Sequence, residues 1–332
     1  MIKKTLLTIL VVILVPQTVL GLDLGIQPRF KTGVQYYEYQ QDAFQSPARD
    51  PRGIFPNMQS SFEYKDWLPY VGGGLTLFVD RFFIDFDVQH AFDGEDQTNT
   101  TQQNFLEGGG GGPFSTFSTG TVLNQNTVND TRFDRTEWAI SAGFTVFDDF
   151  VLFAGYKHAE TNFNTNLSGT ISGLQASTSA PLPFLTGTFT GNLEQRFKYD
   201  GPFVGASYNW RVNHGFLDGT LAFNFAAAFM DGTVDLKFRD VVAKTQIGVT
   251  VPIDLQNIGN NQGRGTFTGL RGDSTGYSFG VAWRGFTPVD GLTYSLGVNG
   301  YLYKFDSKDS ATPDFSETQV RMNFSLAYAF SI

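Results

Sequence analysis

The chain has 332 residues, enough for two average domains or one large all-β domain, and only 17% of them are charged against 15% aromatic. Its net charge of −9 argues against a nucleic-acid partner, whose phosphates need a basic face. The absence of cysteine excludes disulfides, thiolate metal sites and a cysteine nucleophile. Phenylalanine (34) and glycine (37) are both abundant, yet the mean hydropathy stays near zero, because apolar residues are interleaved with polar or small neighbours.

The first element is an export signal. Met1-Ile2-Lys3-Lys4 is a short positive region, and Thr5 to Val15 is an apolar core of the length expected for a signal peptide. Val19-Leu20-Gly21 puts small or modest residues where a signal peptidase reads, so residues 1–21 are expected to be removed and 22–332 to form a single domain. The run is shorter than the roughly 20 residues a spanning helix needs, and Pro16 interrupts it. No other segment is a candidate transmembrane helix. A membrane location therefore requires a closed barrel, since lipid offers no partner to an open strand edge.

After the signal the chain alternates with period two. A weak first run sets Phe30, Thr32, Val34 and Tyr36 against Lys31, Gly33 and Gln35. A second sets Val71, Leu75, Leu77 and Val79 against Gly72, Gly74 and Thr76, and a third sets Phe82, Ile84, Phe86 and Val88 against Asp85, Asp87 and Gln89. A fourth has Trp138, Ile140, Ala142, Phe144 and Val146 opposite Ser141, Gly143 and Thr145, while a fifth, Phe150 to Lys157, is ambiguous in parity. Further runs carry Val204, Tyr208 and Trp210, then Phe223, Phe225 and Phe229, then Tyr277, Phe279 and Trp283, then Tyr294, Leu296 and Val298. The last run is the clearest: Val320, Met322, Phe324, Leu326, Tyr328, Phe330 and Ile332 share one face.

Short links near Asp80-Arg81, Asp148-Asp149, Asn213 to Asp218 and Thr287 to Gly291 alternate with long ones over about 41–66, 94–135, 160–200, 231–272 and 305–315. That is the pattern of periplasmic turns and extracellular loops, and it predicts about 10 strands. Alternation at Gly187 to Leu193 and Ile247 to Ile253 reads as extension of neighbouring strands, or as a further pair giving 12. The Gly108 to Gly112 run, with Phe114 and Phe117 beyond it, and the Thr/Ser/Asn-rich stretch with Pro181 and Pro183 read as mobile loops.

The polar face decides the architecture. It carries Gly, Ala, Ser and Asn with isolated charges, which suits a crowded lumen rather than open solvent, and the large aromatic-rich face suits lipid. The expected fold is an all-β, antiparallel, up-and-down transmembrane barrel. The signal peptide, the ending Tyr328-x-Phe330-x-Ile332 and turns such as Phe147-Asp148-Asp149-Phe150 resemble the bacterial outer-membrane β-barrel proteins, with a porin-like pattern. Ile332 departs from the terminal Phe or Trp of that family. The Gly201-Pro202 and Gly205 step is loosely similar to Legionella-type major outer-membrane and pore-forming proteins. The resemblance implies the outer membrane of a Gram-negative bacterium, contact with lipid and lipopolysaccharide, insertion by the barrel-assembly machinery and passage of small solutes.

The search for chemistry gives little. His214 sits in a turn on the periplasmic side; His90 has Asp87 and Asp93 nearby in sequence and His158 has Glu160, but both read as structural, so no catalytic site is expected. Asp93, Glu95 and Asp96, and then Asp231, Asp235 and Asp240, lack the spacing of a cation site and read as solvated loops. No metal and no cofactor is expected. Lys31, Asp85, Asp87, Arg211, Arg284 and Arg321 fall on the inner face. They form either a constriction that selects small solutes by charge or a plug of ion pairs, and the narrowness of a ten-stranded barrel leans toward the plug. The functions that follow are a narrow channel for small hydrophilic solutes or a closed barrel serving as an adhesin or envelope protein.

Overall fold

The computed structural model describes residues 24–41, 57–58, 62–106, 121–174, 185–213, 218–245, 250–252, 265–308 and 314–331. Ten long strands form the wall: β1 (Leu24–Gln41), β2 (Phe62–Val79), β3 (Phe82–Leu106), β4 (Thr121–Phe147), β5 (Phe150–Leu174), β6 (Leu185–Val212), β7 (Gly219–Thr245), β8 (Gly265–Phe286), β9 (Leu292–Ser307) and β10 (Phe315–Tyr328). Each pairs antiparallel with the next, and β10 returns to β1 in a register that sets Phe30 opposite Leu326 and Arg321 opposite Gln35. The ring closes, so its backbone donors and acceptors are satisfied without water, the condition for crossing lipid.

Alternation decides which way each side chain points. Phe30, Leu75, Ile84, Ile140, Leu152, Val204, Phe225, Phe279, Leu296 and Phe324 supply one outward residue from every strand, each 37–57% exposed. A continuous apolar girdle of this kind has no counterpart on a water-soluble surface and marks the lipid-facing zone. Aromatic residues edge it: Trp210, Phe147 and Phe286 toward the short turns, Trp67 and Tyr156 toward the other end. The fifth run, ambiguous in sequence, resolves with Leu152, Ala154 and Tyr156 outward and Phe153, Gly155 and Lys157 inward.

Tight turns join the strands at one end. Asp80 adopts φ 54° in the two-residue link between β2 and β3, a left-handed conformation that aspartate tolerates. Gly291 closes the β8–β9 link at φ 77°, where a Cβ would stand 2.6 Å from the carbonyl oxygen of Ala329. In outer-membrane barrels the short turns face the periplasm and the long links the outside.

The long links are much shorter than the sequence suggests. Strand continues through Leu106 and resumes at Thr121, continues to Leu174 and resumes at Leu185, and continues to Thr245 and resumes at Gly265. The Thr, Asn and Gln residues that resemble loop formers instead pair in register, for example Thr100 with Thr127 and Thr101 with Asn126. They are polar on both faces, so the one-sided alternation that marks a lipid-facing strand is missing, although the ladder itself persists. β3 to β7 therefore reach 25–28 residues, whereas β9 and β10 have 16 and 14. A span needs about 9–11 residues, so the excess stands above the membrane on one side of the ring. The alternation at 187–193 belongs to β6. Of the stretch at 247–253, Thr250–Pro252 lies against the outer part of β7, so the strand count is ten and not twelve. Residues 1–21, the Gly108 to Gly112 run with Phe114 and Phe117, Pro181, Pro183, His214 and Ile332 lie outside the described residues.

Candidate functional site: a charged and aromatic plug

Inside the lower wall, small residues and aromatic rings interlock. Phe83 lies over Gly143, Phe153 over Gly205 and Phe203 over Gly155; a Cβ on Gly205 would also stand 2.6 Å from the carbonyl oxygen of Phe225. These glycines let rings lie flat against the wall and narrow the lumen.

Two charged layers cross this space. In the lower one, Arg29 of β1 reaches Asp85 at 2.7 Å and Asp87 at 3.3 Å on β3, and donates to Thr76 Oγ1 at 2.6 Å. Lys31 pairs with Asp87. These four charged side chains are about one-fifth exposed. The upper layer is more deeply buried, its charged side chains between 0 and 13% exposed. Glu137 of β4 is its hub: Oε1 accepts from Arg135 Nε at 2.5 Å and Arg321 Nη2 at 2.6 Å, while Oε2 lies 3.0 Å from Lys157 Nζ and accepts from Gln89 at 2.9 Å. Arg135 also donates to Glu317 at 2.8 Å and to Thr161 at 2.5 Å, and Tyr199 donates to the other Glu317 oxygen at 2.9 Å. Gln35 and Gln319 accept from Arg321. Arg321 also lies 4.3 Å from the Tyr301 ring centroid.

Above the charges sits a cap of rings. Tyr37 packs on Phe133 (4.3 Å between centroids), Tyr64 stacks on Phe133 (5.2 Å), Tyr39 meets Phe163 and Phe315, and Phe305 stacks on Phe315 (4.5 Å). Most of these side chains are inaccessible to solvent. At this level, beyond the girdle, burial and then the Glu317 carboxylate push the Tyr39 and Tyr199 hydroxyls well above the ordinary phenol range.

The six charges read from the sequence thus divide among three places. Lys31, Asp85 and Asp87 belong to the lower layer, Arg321 belongs to the upper one, and Arg211 and Arg284 sit at the turn end in common register with Thr220 of β7. Arg284 is exposed at the turn end. Arg29, Arg135, Glu137, Lys157 and Glu317 were missed. Arg135 fell in a stretch read as loop, and Lys157 at the end of the ambiguous run. Arg135 and Glu137 nevertheless share the parity of Ser141 and Gly143, and Glu317 that of Arg321, so extending the alternation by a few residues recovers them.

His90 and His158 lie on the outer wall. His90 faces away from Asp87, its neighbour in sequence, and its Nδ1 is 2.9 Å from Thr136 Oγ1. His158 pairs with Asp200 of β6 at 2.6 Å, rather than with Glu160, and stacks on Trp138 at 5.5 Å. Asp200 begins a lateral row in which Asp200, Asp231, Asp273 and Asp306 stand opposite one another on β6 to β9, just above the apolar girdle. Lys308 pairs with Asp273 and Lys304 with Asp306. Asp235 accepts from the Gly269 amide at 2.7 Å. The side chains of Asp93, Glu95, Asp96 and Asp240 lie outside what the structure describes.

No family model matches the sequence, and no curated protein matches it. Among solved structures, the outer membrane protease OmpT from Escherichia coli is similar over 92% of this chain and 97% of its own, at 12% identity and a TM-score of 0.56. The toluene transporter TodX from P. putida (8% identity, 93% and 90% covered, TM-score 0.24) and the translocator domain of the autotransporter NalP from Neisseria meningitidis (10%, 92% and 88%, 0.27) also match. At these identities the likeness is one of fold: the chain is a closed, ten-stranded antiparallel barrel of the outer-membrane kind.

Proposed function

We propose that this protein is an outer-membrane barrel closed at its waist, which works through the strand wall it raises above the membrane as an adhesin or envelope protein. The buried layer of Arg135, Glu137, Lys157, Glu317 and Arg321 beneath the aromatic cap carries the reading. It joins β4, β5 and β10 across the lumen, and ten strands give little more room than the eight whose interior side chains fill. Its surroundings are outer-membrane lipid and lipopolysaccharide, and it is a client of the barrel-assembly machinery. The His158–Asp200 pair acts in this reading as an interfacial anchor, in keeping with its outward position beside Trp138, and not as a catalytic dyad.

A narrow solute channel is the second reading, implied by the porin-like and Legionella-type resemblance. The cations Arg211 and Arg284 at the turn end, exposed below the plug, favour it. Single-channel conductance of the refolded protein in a planar bilayer tests both. A folded barrel without discrete steps supports the closed reading. Reproducible steps whose ion selectivity changes in the Arg211→Ala, Arg284→Ala double variant overturn it in favour of the channel.

A further inference from the structure

The lower charged layer is balanced: Arg29 and Lys31 face Asp85 and Asp87. The upper layer is not. Arg135, Lys157 and Arg321 face Glu137 and Glu317 alone, with side-chain exposures between 0 and 13%. Among the described residues the two layers hold five cations and four carboxylates. Asp66 belongs to neither layer: it stands in the ring cap, in register with Tyr37, where it is half-exposed and accepts from the Trp67 amide. Glu137 is already engaged by three cations, and Glu317 by Arg135 and Tyr199. One positive charge is therefore left over among side chains that are at most 13% exposed, a state that costs several kcal/mol unless something neutralises it.

A cavity of about 100 Å³ opens between the layers. Lys31, Lys157 and Arg321 line it, with Gln89 and Tyr301. Asp87 and Glu137 also reach it, but both are held by cations. The volume exceeds the roughly 10–15 Å³ that one water requires and admits a monatomic ion with a water or two. We propose that this cavity binds a small monovalent anion of chloride size, which neutralises the surplus charge and ties the two layers into one plug. The sign of the charge rules out a cation, a dianion would overshoot the single surplus, and water alone would leave it in place. The site stands whether or not the barrel conducts.

The probe is bromide. Crystals of the refolded full mature chain grown in sodium bromide should show anomalous density in the cavity, among Lys31, Lys157 and Arg321. In solution, the apparent unfolding temperature of the wild type should fall by several degrees when chloride is replaced by gluconate, which is too large to enter. That difference should vanish in Lys157→Met, which removes the surplus charge; if that variant does not fold, Lys31→Met makes the same change in count from the other side of the cavity. A cavity without bromide density overturns the proposal, and so does wild-type protein that unfolds at the same temperature in both salts.

Discussion

Replacing Glu137 by Gln is the sharpest probe of the plug. The substitution keeps the shape of the side chain and removes the charge that Arg135, Arg321 and Lys157 share at 2.5, 2.6 and 3.0 Å. Three buried cations would then face Glu317 alone. Removing one partner of a buried ion pair costs about 3–5 kcal/mol, because the remaining charge has no solvent to turn to. With three cations affected, the expected loss lies at the upper end, about three to three and a half powers of ten in the folding equilibrium at about 1.4 kcal/mol per tenfold. Urea unfolding in lipid vesicles, followed by tryptophan fluorescence, measures it. Combining Glu137→Gln with Lys157→Met removes one of the stranded cations and should recover part of the loss, giving a non-additive double-mutant cycle. A loss below about 1 kcal/mol, the range of an exposed pair, or strict additivity of the two changes would refute a dry, connected network.

Three further outcomes follow from the geometry. Gly205→Val should lower folding yield and stability, by about 1–3 kcal/mol for overpacking, and Phe153→Ala in the same chain should restore part of it by clearing the ring above that position. Asp231→Asn should stabilise the barrel by up to about 1 kcal/mol, since Asp231 stands between Asp200 and Asp273 in register and directly opposed like charges are unfavourable; an unfolding titration that shows a loss would count against the row. Tyr39 and Tyr199 should remain protonated well past pH 10 in the folded barrel and ionise only on unfolding, as read by phenolate absorbance. Their folded-state pKa is raised, so their contribution to stability is complete below about pH 10 and is lost as the pH climbs through the folded-state value.

The wall was legible in the sequence because lipid imposes a strict rule on it. Phe82, Ile84, Phe86 and Val88 had to share a face, and Asp85 and Asp87 had to take the other. Above the girdle the rule lapses. Asn99 to Gln103 have polar residues on both sides, so nothing but the pairing with Asn124 to Val128 identifies them as strand, and pairing is a long-range property. The plug was half visible for a related reason. Lys31 and Asp87 lie within clean alternation, and Arg321 lies in the best run of all. Arg135 and Glu137 come before the first outward tryptophan of their strand, where polar residues also suit a loop. Their common destination depends on β10 meeting β1, which joins residues 182 and 184 positions apart in the chain.

That dependence bears on how the molecule is put together. β10 brings Glu317 and Arg321 with it, and it is the strand whose pairing with β1 completes the ring. Before that seam zips, Arg135, Glu137 and Lys157 have no carboxylate or guanidinium from the last strand and stay hydrated. Zipping the seam therefore does two things at once: it supplies the final ladder of backbone hydrogen bonds, and it dries the interior by delivering the remaining charges. A barrel paired out of register at the seam by two residues would still bury its girdle in lipid but would bring the wrong side chains to Glu137. Interior charge complementarity thus acts as a proofreading step on closure, over and above the pattern of apolar residues on the outside.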